Sequence, residues 1–318
     1  ATLTDGEANR STFEYDDFDR VLKLRYPDPS TPNTSSTTDY EQYGYDKAGN
    51  VVSTRTRANQ TFTATYDALN RLRTIDAPSG TADTFYTYDN LNRATRVADA
   101  ASGGTEVLMS YDALGRMLTQ TGVLGTMSMQ YDVAGRRTQL TWPDTVYVTY
   151  DYDAANQMTA IKLSGSTQIM GYAYDNLGRR TGVTRGNGIS TSYGYDAVSR
   201  LTSLSHDLPG GTTYDQTWTY GYNPAGQVIT QTQSNDLYAY GGRSTALDSY
   251  TNNGLNQVTA VNATSVSYDT NGNLTSDGTK TYVYDAVNRP VSTNGGASTL
   301  SYDPLGRLRN MVGTAGAQ

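Results

Sequence analysis

The 318-residue chain has no cysteine, two tryptophans, four phenylalanines and a single histidine. Without cysteine there can be no disulfide framework. One histidine, His206, excludes metal sites that need several imidazole ligands. Ser205, His206 and Asp207 are adjacent in sequence, whereas the members of a catalytic triad come from separate parts of a chain. We therefore expect no catalytic residue, no cofactor and no metal, and we expect His206 to lie in a solvated loop.

Positive charge and long apolar runs are also scarce. The chain has 24 Lys and Arg against 31 Asp and Glu, which gives a net charge of −7. Nucleic acids and anionic membranes attract clustered basic residues, so neither is an expected partner. No run of about 18 apolar residues occurs, which predicts no membrane span, and the first residues are not a signal peptide. Helical apolar spacing is missing as well, so the chain is predicted to be all-β.

Tyrosine is abundant, with 27 residues, and most of them belong to one repeated motif. The motif reads Tyr-Asp-x-x-(Gly/Asn)-(Arg/Asn/Gln) and recurs about every 16 to 30 residues. Its thirteen copies begin at Tyr15, Tyr45, Tyr66, Tyr88, Tyr111, Tyr131, Tyr152, Tyr174, Tyr195, Tyr222, Tyr268, Tyr284 and Tyr302. A degenerate copy begins at Asn252. Self-similarity at this period is typical of an array of supersecondary units that stack on their neighbours.

The fifth motif position indicates what each unit is. It is mostly Gly or Asn, the residues that best tolerate positive φ, with glycine for example at Gly115, Gly135, Gly178 and Gly306. An apolar residue often returns at the seventh position, and the Asp at position two can cap a turn. Each repeat is therefore predicted to be a β-hairpin with a turn of four or five residues. Arg at position six is interpreted as the partner of its neighbouring Asp.

The tyrosines are expected to pack rather than to bind ligands. Seven of them, Tyr172 among them, precede a motif tyrosine by two and so lie on the same face of a strand. This pattern predicts a ladder of buried rings, each stacked on the equivalent ring one hairpin away. Binding of glycans by exposed rings is the less favoured alternative. The Asp269 to Asn273 stretch resembles part of a calcium loop but lacks the final Glu, so a simple turn is expected there.

The repeats run nearly end to end, which favours one continuous segment over residues 1–318. Two irregular insertions are expected. One spans about 26–40 and is rich in Pro, Ser and Thr. The other spans about 203–251 and includes His206, Trp218, Tyr238, Tyr240 and a Gly-Gly pair that starts at 241. Since the chain starts without Met, we also expect it to be a piece of a longer protein.

The copies YDALGR, YDNLGR and YDPLGR match the pattern of the YD-repeat, or RHS-repeat, family, which nearly the whole chain resembles. That family includes bacterial polymorphic toxins, shell components of insecticidal toxin complexes and teneurins. The resemblance implies a long spiralling β-sheet of solenoid type, forming a hollow shell around a toxic domain. The family's conserved core segment, which closes the shell, is not seen before Gln318. Asp303 to Gly306 echoes its Asp-Pro-x-Gly signature but lies in register as an ordinary repeat.

The function expected from this resemblance is structural. The chain would be a non-catalytic wall segment of a large secreted or surface protein of a bacterium, and its shell would enclose a toxin or other cargo. About 28 strands spaced ~4.8 Å apart make a strip roughly 130 Å long, too little to enclose a folded domain alone. The expected partners are further YD repeats of the same parent chain or of neighbouring copies, and an encapsulated toxin domain. The alternative is an extracellular filament or adhesive fibre without cargo.

Overall fold

The computed structural model describes residues 1–239, 247–313 and 316–317. The chain divides into two compact units. Unit 1 consists of Ala1–Met109 and Ala246–Gln318, and unit 2 of Ser110–Thr245. The described residues form 31 strands and two short 3-10 turns, Asp236–Tyr238 and Asn294–Gly296, and no α-helix. The all-β prediction is therefore confirmed.

The strands are numbered in chain order. The first ten are β1 Thr2–Thr4, β2 Arg10–Tyr15, β3 Val21–Pro27, β4 Ser35–Tyr45, β5 Val51–Arg55, β6 Thr61–Tyr66, β7 Leu72–Asp76, β8 Thr84–Tyr88, β9 Ala94–Ala98 and β10 Glu106–Tyr111. The next eleven are β11 Met117–Gly122, β12 Gly125–Tyr131, β13 Arg137–Thr141, β14 Tyr147–Tyr152, β15 Met158–Leu163, β16 Thr167–Tyr174, β17 Arg180–Arg185, β18 Ser190–Tyr195, β19 Leu201–Asp207, β20 Gln216–Tyr222 and β21 Val228–Gln233. The last ten are β22 Tyr250–Asn252, β23 Val258–Val261, β24 Thr264–Ser265, β25 Ser267–Tyr268, β26 Leu274–Ser276, β27 Tyr282–Tyr284, β28 Pro290–Thr293, β29 Ser298–Tyr302, β30 Leu308–Gly313 and β31 Gly316–Ala317.

Both units are antiparallel meanders, in which each strand pairs with the strand before it in sequence. In unit 1, β1 to β10 pair in this order. The later strands of unit 1 form three smaller sheets, β22–β24, β25–β26 and β27–β31. In unit 2, β11 to β21 pair in the same consecutive manner. Turns consequently alternate between the two ends of the strands, and each row of turns forms one edge of the sheet.

The repeated motif forms the same turn each time. At the copy that begins at Tyr45, the N–H of Asp46 donates to the carbonyl of Asn50 at 3.0 Å, and Gly49 N–H donates to Asp46 O at 3.2 Å. The strand ladder shifts register beside Tyr45, because the turn ends in a left-handed residue that forms a bulge. Five residues separate the paired strands, as predicted. We call the edge that carries the turns after the motif tyrosines the motif edge, and the other the opposite edge.

The predicted positive φ at the fifth position is confirmed in all fourteen copies. The values lie between 58° and 92°. The residues are Asp19, Gly49, Asn70, Asn92, Gly115, Gly135, Asn156, Gly178, Ser199, Gly226, Asn256, Gly272, Asn288 and Gly306.

The buried core is thin. Among the described residues, the buried hydrophobic side chains are Val97, Ala98, Val107, Val148, Ala160, Val183 and Ala286. Most other inward-facing side chains are half-buried. Stability must therefore come largely from the backbone ladder and from contacts between adjacent repeats, as in other repeat proteins.

The two expected insertions are more regular than predicted. The irregular part of the first is short, since β4 begins at Ser35 and pairs with β3. The second includes β20 and β21 in full, and β19 continues to Asp207. Strands form there because polar Ser and Thr side chains alternate along a half-solvated sheet without loss of backbone pairing. Tyr240 and the Gly-Gly pair that starts at 241 lie outside the described residues.

Candidate functional site: the motif edge

The aspartate at position two closes its own turn. In the copy that begins at Tyr174, Asp175 Oδ1 accepts hydrogen bonds from the backbone N–H groups of Leu177 and Arg179, each at 3.0 Å. Its Oδ2 accepts from Arg179 Nε at 2.7 Å. The arginine guanidinium is the largest cause that lowers the pKa of Asp175, followed by the arginine backbone N–H. Aspartate is thus held ionised as the cap of the turn.

The same Asp-Arg pair recurs wherever position six is arginine. The N···O distances are 2.6–2.7 Å, and the pairs are Asp16–Arg20, Asp67–Arg71, Asp89–Arg93, Asp112–Arg116, Asp132–Arg136, Asp196–Arg200, Asp285–Arg289 and Asp303–Arg307. The interpretation of Asp as cap and Arg as its partner is therefore confirmed.

The arginine also reaches the next repeat, which sequence reasoning missed. Arg179 Nη1 donates to Asp196 O at 3.2 Å and to Ser199 Oγ at 3.1 Å. Its guanidinium carbon lies 4.8 Å from the centre of the Tyr195 ring, a cation–π contact. One arginine thus joins the turn of its own hairpin to the turn and the tyrosine of the following one.

This link between neighbours repeats along the motif edge. Guanidinium-to-ring distances of 4.3–4.8 Å are found for Arg20 over Tyr45, Arg71 over Tyr88, Arg116 over Tyr131, Arg136 over Tyr152, Arg200 over Tyr222 and Arg289 over Tyr302. Where position six is asparagine, hydrogen bonds of its shorter side chain replace the arginine contact. Asn50 Nδ2 donates both to Asp46 Oδ2 at 2.8 Å and to Asn70 Oδ1 at 3.2 Å.

The tyrosine hydroxyl makes the return connection. Tyr174 donates to the carbonyl of Met158 at 2.9 Å, and Met158 is the seventh residue of the preceding copy. The same bond, at 2.6–3.0 Å, is made by Tyr45, Tyr66, Tyr88, Tyr131, Tyr152, Tyr195, Tyr222, Tyr268 and Tyr302. In these ten copies the hydroxyl is therefore satisfied within the array, which leaves the ring to contribute packing area.

The predicted ladder of stacked tyrosines is wrong. Apart from exposed Tyr15, the motif rings are half-buried, and arginine faces them in seven repeats. The tyrosine pair found in the described residues is Tyr86 with Tyr88, at 6.4 Å within one strand. The reason is distance, because equivalent tyrosines are two strands, roughly 10 Å, apart, and stacked rings need centroids about 4.5–7 Å apart. The arginine spans that gap.

A further turn of this type was missed at the N-terminus. Asp5 Oδ1 accepts from the backbone N–H groups of Glu7 and Asn9, each at 2.9 Å, and Asn9 Nδ2 donates to Asp5 Oδ2 at 3.0 Å. Ala8, at the fifth position, has a φ of 64°. Thr4 stands where the tyrosine would be, so the Asp-to-Asn spacing of four was the remaining signal. This turn lies on the opposite edge.

In unit 1, turns of the motif edge contact turns of the opposite edge that are more than 200 residues away in sequence. Asn256 Nδ2 donates to Asp5 Oδ2 at 2.7 Å. The Ala58 N–H donates to Asn271 Oδ1 at 2.9 Å, and the Ala286 N–H donates to Thr81 Oγ1 at 3.0 Å. The bond from Asn256 is the largest cause that lowers the pKa of Asp5 to about 2. Positions three to five of the motif therefore form an edge-to-edge contact as well as a turn.

The residues considered for chemistry have structural partners. His206 lies in β19, half-buried rather than in a loop, with its ring 5.4 Å from Trp218 and Nδ1 2.9 Å from Thr191 Oγ1. Ser205 bonds to Thr217 Oγ1 on the other face of the strand, so no triad assembles.

Both oxygens of Asp269 accept hydrogen bonds from Asn273, as expected of a simple turn. No group of three or more potential metal ligands occurs in the part of the chain that the structure describes. Over residues 1–239, 247–313 and 316–317, no helix has the length and apolar character needed to cross a bilayer.

Comparisons with known proteins place the chain among YD-repeat proteins. The family model of the Teneurin YD-shell matches residues 1–185, and that of the RHS repeat matches residues 174–213. A comparison with curated proteins gave no match.

Two similar solved structures are the crystal structure of TcdB2-TccC3-TEV and the Photorhabdus luminescens Tc holotoxin pore, with TM-scores of 0.53 and 0.52. Both are 16% identical, and each alignment covers 96% of this chain and 20% of that chain. The chain thus spans about a fifth of these structures and shares their fold.

Proposed function

The chain belongs to the Teneurin YD-shell family, and on that premise we propose that it is a non-catalytic wall segment of a hollow β-shell that encloses cargo. The observation that carries this proposal is the edge-to-edge contact within unit 1. A closed wall needs later repeats to cover the edge of earlier ones, and Asn256, Asn271 and Ala286 do so. The links between adjacent hairpins supply the lateral continuity that a wall also needs.

The cargo that we propose is a toxin domain. One of the similar structures is a Tc holotoxin pore, which supports this choice. We place the parent protein outside the cell or on the bacterial surface, because a shell of this family is an extracellular structure. No side chain of the array is assigned a chemical step, since the polar groups of the motif are occupied by capping and linking.

The test is limited proteolysis of the longer protein that carries this chain and its cargo. In the wild type, the cargo domain should resist cleavage that the same domain undergoes when isolated. Replacing Arg116, Arg136 and Arg179 together by alanine should expose it, because three consecutive or near-consecutive links are lost. Arg73→Ala is the matched control, since Arg73 is exposed on β7 outside the motif. Equal cleavage of enclosed and isolated cargo would refute encapsulation.

Absence of catalysis is tested separately. The purified chain should be inert toward esters, peptides and glycosides, and His206→Ala should leave fold and assembly unchanged. Turnover that disappears in His206→Ala would contradict the proposal, because it would require a chemical role for the ring that Thr191 and Trp218 hold in place.

The second candidate is an extracellular filament built from the same repeats without cargo. It is favoured by β21, which is exposed along its length and includes Val228 and Ile229. Within the described residues β21 pairs with β20, and an unpaired strand edge can recruit a strand from another chain. Electron microscopy of the parent protein separates the two candidates, since closed particles support a shell and indefinitely long threads support a filament.

A further inference from the structure

The fourth motif position places an apolar side chain at the tip of many motif-edge turns. Six of these side chains are 65–80% exposed, namely Phe18, Leu69, Leu91, Leu114, Leu177 and Val198. None of them is needed to form the turn, because position four contributes its backbone N–H to the capping aspartate. Exposed apolar side chains that recur along one edge are typical of a surface that binds a partner.

Unit 1 shows what covers this position when a partner is present. Val287 occupies position four of a turn that contacts the opposite edge. Its side chain is 45% exposed, less than the six side chains named above. It lines an apolar cavity of about 390 Å³ together with Phe62 and Ile75. Asn271, also at position four, accepts the Ala58 N–H. The partner of the motif edge is therefore the opposite edge of a YD-repeat sheet.

In unit 2, apolar side chains are exposed on the motif edge and on the opposite edge. On its motif edge Leu114 and Leu177 are more than 70% exposed. On its opposite edge, the connection between β11 and β12 presents Val123 and Leu124, which are 61% and 77% exposed. Turns recur along each edge every second strand, about 10 Å apart, so the two rows have matching spacing. The apolar tips of the motif edge and the apolar β11–β12 turn of the opposite edge are thus both exposed in unit 2.

We propose that the motif edge of unit 2 binds the opposite edge of unit 2 in a second copy of this chain. The inference rests on the contact within unit 1 and on the exposed side chains, and it does not depend on cargo. Because two different surfaces meet, a pair of copies still has one free motif edge and one free opposite edge, and association continues as an open stack rather than a closed pair. The contact uses turns, in contrast to the strand pairing at β21 that the filament candidate would use.

The test uses two double variants of the full chain. Leu114→Asp with Leu177→Asp blocks the motif edge, and Val123→Asp with Leu124→Asp blocks the opposite edge. In sedimentation velocity over a broad concentration range, the wild type should form species larger than a dimer. Each double variant alone should remain monomeric, with association weakened at least about tenfold. Mixing the two variants should give a one-to-one dimer that grows no further, since the intact edge of each variant is used in that dimer and the two edges left free are blocked.

The matched control is Leu247→Asp, which changes a leucine that is 99% exposed and outside both edges; it should associate like the wild type. Thermal melting of every variant checks the fold, and glutamine in place of aspartate repeats the test if a variant unfolds. A monomeric wild type overturns the proposal, and so does a mixture that stays monomeric. Self-association of the opposite-edge variant would show that motif edges bind one another. Loss of association only in Ile229→Asp would assign it to the strand edge.

Discussion

Replacing Arg179 by alanine removes a link between two neighbouring hairpins while leaving both turns able to form. The side chain is about a quarter exposed, as is its partner Asp175. An ion pair at this exposure contributes ~0.2–1 kcal/mol. The cation–π contact with Tyr195 contributes about 0.5–1 kcal/mol, and the hydrogen bond to Asp196 O about 1 kcal/mol. Since these contributions are not additive, we expect a loss of about 1–3 kcal/mol.

The assay should report local stability, because a repeat array need not unfold in one step. Hydrogen exchange of the backbone amides in β16 to β19 should accelerate in Arg179→Ala, whereas amides in β5 to β7 should be unaffected. Arg73→Ala, an exposed arginine outside the motif, is the control. A double-mutant cycle with Tyr195→Leu should give a coupling free energy of about 0.5–1 kcal/mol.

A change below about 0.3 kcal/mol in the exchange free energy, or a coupling free energy of zero, would refute the linking role of Arg179. Either result would mean that the arginine is no more than a cap of its own turn. Acceleration spread equally over all strands would instead mean that the array unfolds as a single cooperative unit, so that local links cannot be measured separately.

The remaining predictions concern the turn, the tyrosine and pH. Gly178→Val should destabilise the chain by about 1–2 kcal/mol in urea melts, because φ is 77° there; Gly122→Val, which has open space and no positive φ, is the control, and an equal loss in both would contradict the strain argument. Tyr174→Phe should cost about 1 kcal/mol, since it leaves a carbonyl without its donor, and an unchanged melting curve would contradict it. Asp5 has its pKa lowered from 3.8 to about 2, most by Asn256. Its contribution should be complete above pH 4 and lost as pH falls through 2, and Asn256→Ala should reduce that dependence in an NMR titration.

The turn could be predicted from the sequence because its chemistry is local. Gly178 and Asn92 at the fifth position tolerate the left-handed backbone that the turn needs, and Asp175 reaches the amides two and four residues ahead of it. The five-residue hairpin follows from these residues alone. Residues 203–233 are more regular than the irregular insertion that the sequence predicts, because a long spacing between motifs also fits longer strands and a longer connection.

Contacts between repeats could not be predicted in the same way. The sequence shows that Arg179 and Tyr195 recur together, but the assignment of one to the other depends on the distance between hairpins, which only the paired sheet sets. The edge contacts of unit 1 are even harder to predict from the sequence, because they join residues that are far apart in the chain. Asn256 and Asp5 are 251 residues apart, and neither residue differs in kind from those at other turns.

In seven copies the motif arginine contacts the tyrosine of the repeat that follows it, and in ten copies the motif tyrosine bonds to the repeat that precedes it. A whole hairpin with its motif is therefore a self-contained module, and removing or duplicating one brings together an arginine and a tyrosine of the same kind as before. An insertion of a single strand is different, because it would move every later motif turn to the other edge. Such a chain can consequently lengthen or shorten by recombination through gain or loss of whole hairpins. Every motif turn then stays on the motif edge.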